Sequence, residues 1–350
     1  MNPMIRKILD RLRPAAQLAV AAHQNPEGDA LGSTLALALW LQSAGKDARA
    51  YNLDPVPSFL RFLPGADTMT RRVEDLGEPA LIVVVDCGDL QRTGPAFAQF
   101  AQGREIINLD HHDTNDNFGA LNLVRPDASS TCEIVYELIV SAQCTVHSAQ
   151  NPLLSGSSLS TGHRPLSTDI ATNLYTGILM DTGSFRFPNT TPNALRIASE
   201  LVRAGADPAR VAREVFDTQP QGKLKLLARV LSTLEFDAPG RVAEMVLTQA
   251  MFAETGTSAE DAEGFINHTA SVEGVKVAVL FREQGPDKWK VSFRGRVQGD
   301  GSPGINVARI AEELGGGGHR LAAGTTLLGS LERVRLQVQE KLAAALLASE

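Results

Sequence analysis

The sequence predicts an α/β protein: an N-terminal parallel sheet with helices on both faces, and a smaller C-terminal α/β domain joined to it by a helical linker. Three observations predict this. Short β-branched runs alternate with helical patterns through the first half, which implies parallel βαβ units. A second series of strand and helix patterns opens at residue 241. The 350 residues also exceed what one core comfortably fills, so about two domains are expected. The expected boundaries are 1–190 for the first domain, 191–238 for the linker and 239–350 for the second domain.

Taken in order, "LAVAAH" (18–23) reads as a strand, and "GDALGSTLALALWLQSAG" (28–45) as a helix closed by Gly45, a good C-cap. "LIVVVDCGD" (81–89) and "EIINLDHH" (105–112) read as buried strands. "SSTCEIVYELIV" (129–140) reads as a helix with a Ser or Thr N-cap. Residues 148–167, rich in Ser, Gly and Pro, read as a loop interrupting the first domain. Helical patterns follow at 168–180, 192–204 and 207–216, and an amphipathic one at 223–236 could connect two lobes. The last part reads as strands at 241–248, 275–283 and 289–296, a helix at 304–314, the string "GGGGHR" (315–320) and a final helix at 331–348.

Composition narrows the function. Charged residues are 21% and hydrophobic residues 43%, ordinary for a soluble globular chain. Aromatics, at 5%, are too scarce for a platform that stacks many single-stranded bases. A net charge of −7 argues against wrapping long nucleic acid, so a polyanionic substrate would be short and held by a few local cations. Cys87, Cys132 and Cys144 follow no metal spacing and cannot all pair, which reads as reduced thiols and a cytoplasmic protein. The N-terminus has no signal-peptide pattern, and no apolar run is long enough to span a membrane.

Chemistry-bearing residues collect at element ends. His23 ends the first strand and leads through "HQNPEGDALGS" into a helix. Asp86 ends "LIVVVD"; Asp110, His111 and His112 end "EIINLDHH"; Asp181 lies where "LYTGILMDTGSF" leaves its helix. In an open parallel sheet the strand carboxyl ends share one edge, and ligands bind there. One strand-end aspartate is usually a turn or cap residue, but four segments delivering Asp, Glu or His to one edge make a set. Mixed imidazole and carboxylate donors suit Mn²⁺, Fe²⁺, Co²⁺ or Zn²⁺. Two such ions about 3.5–4 Å apart form a hydrolytic device for phosphate esters.

The strings "HQNPEGDALGS", "VVVDCGD", "NLDHHDTNDNFG" and "TGILMDTGSFRF" resemble the four successive motifs of the DHH phosphoesterase superfamily. "GGGGHRLAAG" (315–324) resembles the glycine-rich loop of its DHH-associated C-terminal domain. The nearest resemblance is to the branch that degrades short oligoribonucleotides to mononucleotides and dephosphorylates 3′-phosphoadenosine 5′-phosphate to AMP. It implies two divalent ions, Mn²⁺ ahead of Co²⁺ or Mg²⁺. The first site would be His23, Glu27 and Asp86; the second would be Asp29, Asp86, His111 and Asp181, with Asp86 bridging. A bridging hydroxide would attack phosphorus in line, and His112 would contact the scissile phosphate or the leaving oxygen. Asp110 would either orient the neighbouring histidine or serve only as a strand-end hydrogen bonder. Arg294, His319 and the bare backbone of Gly316, Gly317 and Gly318 would hold a phosphate away from the metals, and a cleft between the lobes would admit only short substrates. A homodimer is the assembly the resemblance suggests.

Three departures stand out. Glu27 occupies a position where the family usually has Asp, which moves the carboxylate by roughly 1.5 Å and should alter first-metal affinity or preference. The 148–167 loop is longer than the family usually needs. Ala270 stands near where related sequences often carry an arginine. Local charge still favours an anionic ligand: residues 282–296 carry a net charge of +3, with Arg282, Lys288, Lys290, Arg294 and Arg296 against Glu283 and Asp287. Rival readings are hydrolysis of linear or cyclic di-adenylate, pyrophosphate hydrolysis, a processive nuclease for long strands, and a nucleotide-binding regulatory protein with a crippled site.

Overall fold

In the computed structural model, residues 2–145, 166–237, 240–297 and 304–347 are described. The Ser/Gly/Pro-rich loop expected at 148–167 lies, apart from its last two residues, outside them. The chain forms two compact units, Met1–Thr218 and Gln219–Glu350, so the stretch expected as a linker is shared between them.

The first unit begins with helix α1 (Pro3–Leu12), strand β1 (Gln17–Ala21), helix α2 (Gly28–Ser43) and strand β2 (Asp47–Tyr51). It continues through β3 (Leu81–Val85), α3 (Pro95–Phe100), β4 (Ile106–Asp110), β5 (Leu121–Val124) and α4 (Thr131–Thr145). Helices α5 (Thr168–Asp181), α6 (Pro192–Arg203) and α7 (Pro208–Ala212) complete it, the last running into a π turn at Arg213–Asp217. All pairings of its sheet are parallel, in the order β2-β1-β3-β4-β5. β1 is thus flanked by β2 on one side and β3 on the other. That reversal opens a crevice outside the carboxyl ends of β1 and β3, where ligands bind in doubly wound sheets.

The strands are apolar on both faces because both are covered. Leu18, Val20, Val83, Val85, Ile107 and Leu109 join the core that contains residues of α1, α2, α4 and α5. Ala19, Ala21, Ile82, Val84 and Ile106 join a smaller core with Tyr51, Phe97 and Ala101. The helices approach closely where glycine allows it. A Cβ at Gly32 of α2 would lie 2.5 Å from the Asn173 carbonyl of α5. One at Gly177 of α5 would lie 2.2 Å from Cys132 Sγ of α4 and 3.0 Å from Asp29 Oδ1 of α2. Those contacts draw the ends of three helices together beside the crevice.

The second unit contains α8 (Gln221–Leu231), β6 (Glu235–Phe236), β7 (Val242–Leu247), α9 (Gln249–Thr255), α10 (Phe265–Ala270), β8 (Val277–Gly285) and β9 (Lys288–Gly295). It ends with α11 (Val307–Glu313), β10 (Gly317–His319), β11 (Ala322–Leu328) and α12 (Leu331–Leu347). Its mixed sheet runs β10-β11-β9-β8-β7-β6, with α11 and α12 packed on one face and α8, α9 and α10 on the other.

One expectation is corrected here and one is refined. The amphipathic helix read over 223–236 stops at Leu231, and Glu235–Phe236 become an edge strand. Thr233 accounts for the change: its hydroxyl accepts from Val246 N at 2.9 Å and donates to Val246 O at 3.2 Å, standing in for a strand partner. The run read as a glycine-rich loop is divided between a helix cap and a short strand. Gly315, at φ +77°, closes α11, its N–H donating to the Glu312 carbonyl, and Gly317–His319 pair with β11.

Candidate metal centre

Each strand-end residue singled out in the first unit arrives at the β1/β3 crevice. His23 lies two residues beyond β1 and is 3% exposed. Its Nε2 stands 3.1 Å from Glu27 Oε1 and 3.6 Å from Asp86 Oδ2, while Nδ1 is 2.7 Å from the Gln24 carbonyl. A neutral ring that donates from Nδ1 to that carbonyl turns the Nε2 lone pair toward the carboxylates, the orientation a metal ligand needs. Glu27 occupies the N-cap position of α2 but makes no capping hydrogen bond, and its side chain remains half exposed.

Asp86 directly follows β3 and adopts φ +52°, a left-handed conformation that costs a non-glycine residue free energy and persists only where the surroundings enforce it. That geometry turns its carboxylate into the crevice. Oδ1 accepts from the Thr131 hydroxyl at 3.1 Å, whereas the buried Oδ2 accepts no hydrogen bond. Asp29, in the first turn of α2, is held by the N-terminus of α4: Thr131 N donates to Oδ2 at 2.6 Å and Cys132 N to Oδ1 at 2.9 Å. Asp181 is the last residue of α5, and Asn189 Nδ2 bridges its carbonyl (3.1 Å) and its Oδ2 (3.4 Å).

His111 ties these groups together. Its Nε2 is 3.7 Å from Asp86 Oδ1, 3.7 Å from Asp181 Oδ2 and 3.9 Å from Asp29 Oδ2. His112 Nδ1 bonds Asp110 Oδ1 at 2.8 Å and lies 3.7 Å from Asp86 Oδ1. Asp110 itself is fully buried, and its oxygens accept from His111 N, the His112 ring and Asn115 Nδ2. These contacts include both the ring of a neighbouring histidine and polar partners at the strand end.

The electrostatics follow from burying three aspartates in one place. Burial, then the negative charge of Asp86, push Asp29 up to about 7 against the pull of His111. Burial, then Asp29 and Asp86, push Asp181 up to about 9. Burial would raise Asp86 as well, but His23, His111 and His112 outweigh it and hold this carboxyl down to about 2. For His23 burial acts downward, and Asp86 and Glu27 overcome it to raise the ring to about 10, so a metal at Nε2 would have to displace that proton. The cluster thus cannot keep all its carboxylates ionised by itself. A divalent cation bound among these groups would offset that negative charge.

Three overlapping groups have ligand atoms close enough to hold one: His23, Glu27 and Asp86; Asp29, His111 and Asp181; and Asp86, His111 and His112. Asp86 belongs to two of them, and its Oδ2, which accepts no hydrogen bond and faces His23 Nε2 at 3.6 Å, is a ready ligand. The donor set mixes neutral nitrogen and anionic oxygen and fits borderline to hard divalent ions. The residues fit the metal chemistry.

Sequence reasoning missed Thr131, Asn115 and Asn189. The string "SSTCE" signalled a helix start, yet nothing in it indicated that the helix N-terminus would meet Asp29, 102 residues away in sequence.

In the second unit, Arg294 of β9 pairs in register with Ala322 of β11, which pairs with His319 of β10. Directly opposed residues share a sheet face, so Arg294 and His319 flank Ala322 about 10 Å apart. Arg282 and Lys290 face each other on that same side, since register alternates through Leu280↔Ser292 to Ala278↔Arg294. Burial lowers the pKa of Arg294, with Glu263 opposing. Gly316 and Gly318 are demanded by close backbone: a Cβ would fall 2.2 Å from the Gly324 carbonyl and 2.5 Å from Ala323 Cα.

Fold and site define a class: a two-domain α/β protein with a histidine–carboxylate metal cluster at the switch point of a parallel sheet. The chain belongs to the DHH family, matching the DHH family N-terminal domain over residues 17–178 and the DHHA1 domain over 242–346. It is 36% identical to the bifunctional oligoribonuclease and PAP phosphatase NrnA of Thermus thermophilus, over 93% of this chain and 90% of that protein. It is 30% identical to the probable bifunctional oligoribonuclease and PAP phosphatase NrnA of Streptococcus mutans, over 91% and 92% of the two chains. Its fold is similar to the crystal structure of an exopolyphosphatase-related protein from Bacteroides fragilis, with a TM-score of 0.86 and 26% identity, covering 100% and 98% of the chains.

Proposed function

We propose that the chain is a metal-dependent phosphoric ester hydrolase that degrades short oligoribonucleotides to mononucleotides and removes the 3′-phosphate of 3′-phosphoadenosine 5′-phosphate. The observation that carries the reading is the sharing of Asp86 between metal-capable groups in a chain that matches NrnA relatives along almost its whole length. In this reading His23, Glu27 and Asp86 hold one ion, and Asp29, Asp86, His111 and Asp181 hold the other, Mn²⁺ being the metal of choice. The bound ions supply a lowered water pKa and charge neutralisation at the phosphoryl oxygens.

The chain's own groups do the rest. Thr131 and Cys132 fix Asp29 through backbone N–H groups, so its oxygens face the crevice without rotamer search. Asp110 fixes the His112 ring through Nδ1 and raises its pKa, which favours the protonated form beside a phosphate. His112 is then the donor to a phosphoryl or leaving ribose oxygen. Arg294, His319 and the backbone at Gly316–Gly318 bind a phosphate other than the one hydrolysed.

A substrate panel tests the reading: RNA 2-mers to 5-mers, a 24-mer, 3′-phosphoadenosine 5′-phosphate, cyclic di-adenylate and pyrophosphate, each with Mn²⁺. Turnover of the 2-mers to 5-mers and of 3′-phosphoadenosine 5′-phosphate is expected. Preference for the 24-mer contradicts the short-substrate reading, and activity confined to pyrophosphate contradicts the nucleotide one.

A further inference from the structure

The segment after Asp181 is unusual. Gly183, Ser184 and Phe185 all adopt the left-handed conformation, at φ +55°, +60° and +59°. Side chains visit this region singly and with strain; two consecutive ones beside a glycine need strong surroundings. Thr182 provides them. Its hydroxyl donates to the Ile178 carbonyl at 2.6 Å and accepts from Phe185 N at 3.1 Å, and its carbonyl accepts from both Arg186 N and Phe187 N at 3.0 Å.

The turn treats its two phenylalanines oppositely. Phe185 points inward, its ring 6.4 Å from that of Tyr175 and packed against the first unit's core. Phe187 is displayed outward and is 53% exposed. Its ring edge lies on Gly183, where a Cβ would fall 2.5 Å from Phe187 Cζ. Gly183 is two residues from Asp181, hence within about 7 Å along the backbone. Two residues past Phe187, Asn189 returns to bond the Asp181 carboxylate. The ring therefore stands at the margin of the metal cluster, seated on a strained turn and about half exposed, in a chain poor in aromatics.

We propose that Phe187 is a specificity-determining residue that stacks on the nucleobase of the nucleotide whose phosphate reaches the Asp181 side of the cluster. An exposed, rigidly mounted ring accepts any base, because every base presents a π-face. Stacking there would register a nucleotide against the metals without reading its sequence. The inference rests on the nucleotide reading above and deepens it.

The test uses the full chain in Mg²⁺. In the Phe187→Trp variant, AMP should quench tryptophan emission beyond the background of the unaltered chain, which carries Trp40 and Trp289, whereas ribose 5-phosphate should not. The Phe187→Ala variant should raise KM for an adenylyl dinucleotide about tenfold, the effect of losing one base–aromatic stack. The Phe187→Trp variant should stay within about threefold of the unaltered KM, which separates stacking from folding damage. An unchanged KM in Phe187→Ala, or equal quenching by AMP and ribose 5-phosphate, overturns the proposal. If the unaltered chain hydrolyses no nucleotide in Mn²⁺ either, the substrate reading fails by itself, and the quenching comparison in Mg²⁺ still decides on stacking.

Discussion

The backbone N–H of Thr131 donates to Asp29 Oδ2 at 2.6 Å, so the first turn of one helix grips the carboxylate at the start of another. The same residue sends its hydroxyl to Asp86 Oδ1 at 3.1 Å. Thr131 therefore positions two of the carboxylates at the candidate metal centre.

Thr131→Val keeps the backbone bond and removes the hydroxyl, leaving a buried carboxylate oxygen short of its donor. That costs about 1–3 kcal/mol of stability and should weaken Mn²⁺ binding about 10- to 100-fold. Thr131→Ser should keep both. Isothermal titration with Mn²⁺ and thermal melting of the three chains check this; equal affinities for all three contradict it.

Gly177→Ala tests the close approach of α5 to α4 and α2. The new methyl would meet Cys132 Sγ and Asp29 Oδ1 in a packed interior, an overpacking worth about 1–3 kcal/mol. A melting point lowered by several degrees is expected, and adding Cys132→Ala should recover part of it by removing the atom in the way. An unchanged melting point in the single variant would contradict the packing described.

Glu27 separates the two proposed ion sites. Its carboxylate is half exposed, whereas Asp29 and Asp86 are buried. Mn²⁺ titration should therefore resolve two classes of binding, and Glu27→Ala should abolish the weaker class while retaining the tighter one. Loss of the tighter class instead would reverse the assignment.

Much of this was legible in the residues. Strand-end placement foretold where His23, Asp86, His111 and His112 would meet, because a parallel sheet aligns its carboxyl ends. Asp181 was legible as the end of an apolar helical pattern. What holds these groups was not. Thr131 grips Asp29 through its main chain, and backbone donors leave no trace in residue type. The glycines at 315–318 were legible only as bare backbone, because a residue without a side chain does not distinguish a helix cap, an edge strand and an anion loop. Helix 223–236 ran too long on paper because the Thr233–Val246 pairing that ends it is a tertiary contact.

Asp86 is the residue on which the two-metal account turns, so Asp86→Asn in the full chain is its most direct test. Mn²⁺ titration monitored by calorimetry, followed by hydrolysis of an RNA 3-mer, should give two ions per unaltered chain. The variant should bind with at least about 100-fold lower affinity, and its rate should fall by orders of magnitude. A variant that binds two Mn²⁺ ions as before and cleaves the 3-mer at the unaltered rate would contradict the account.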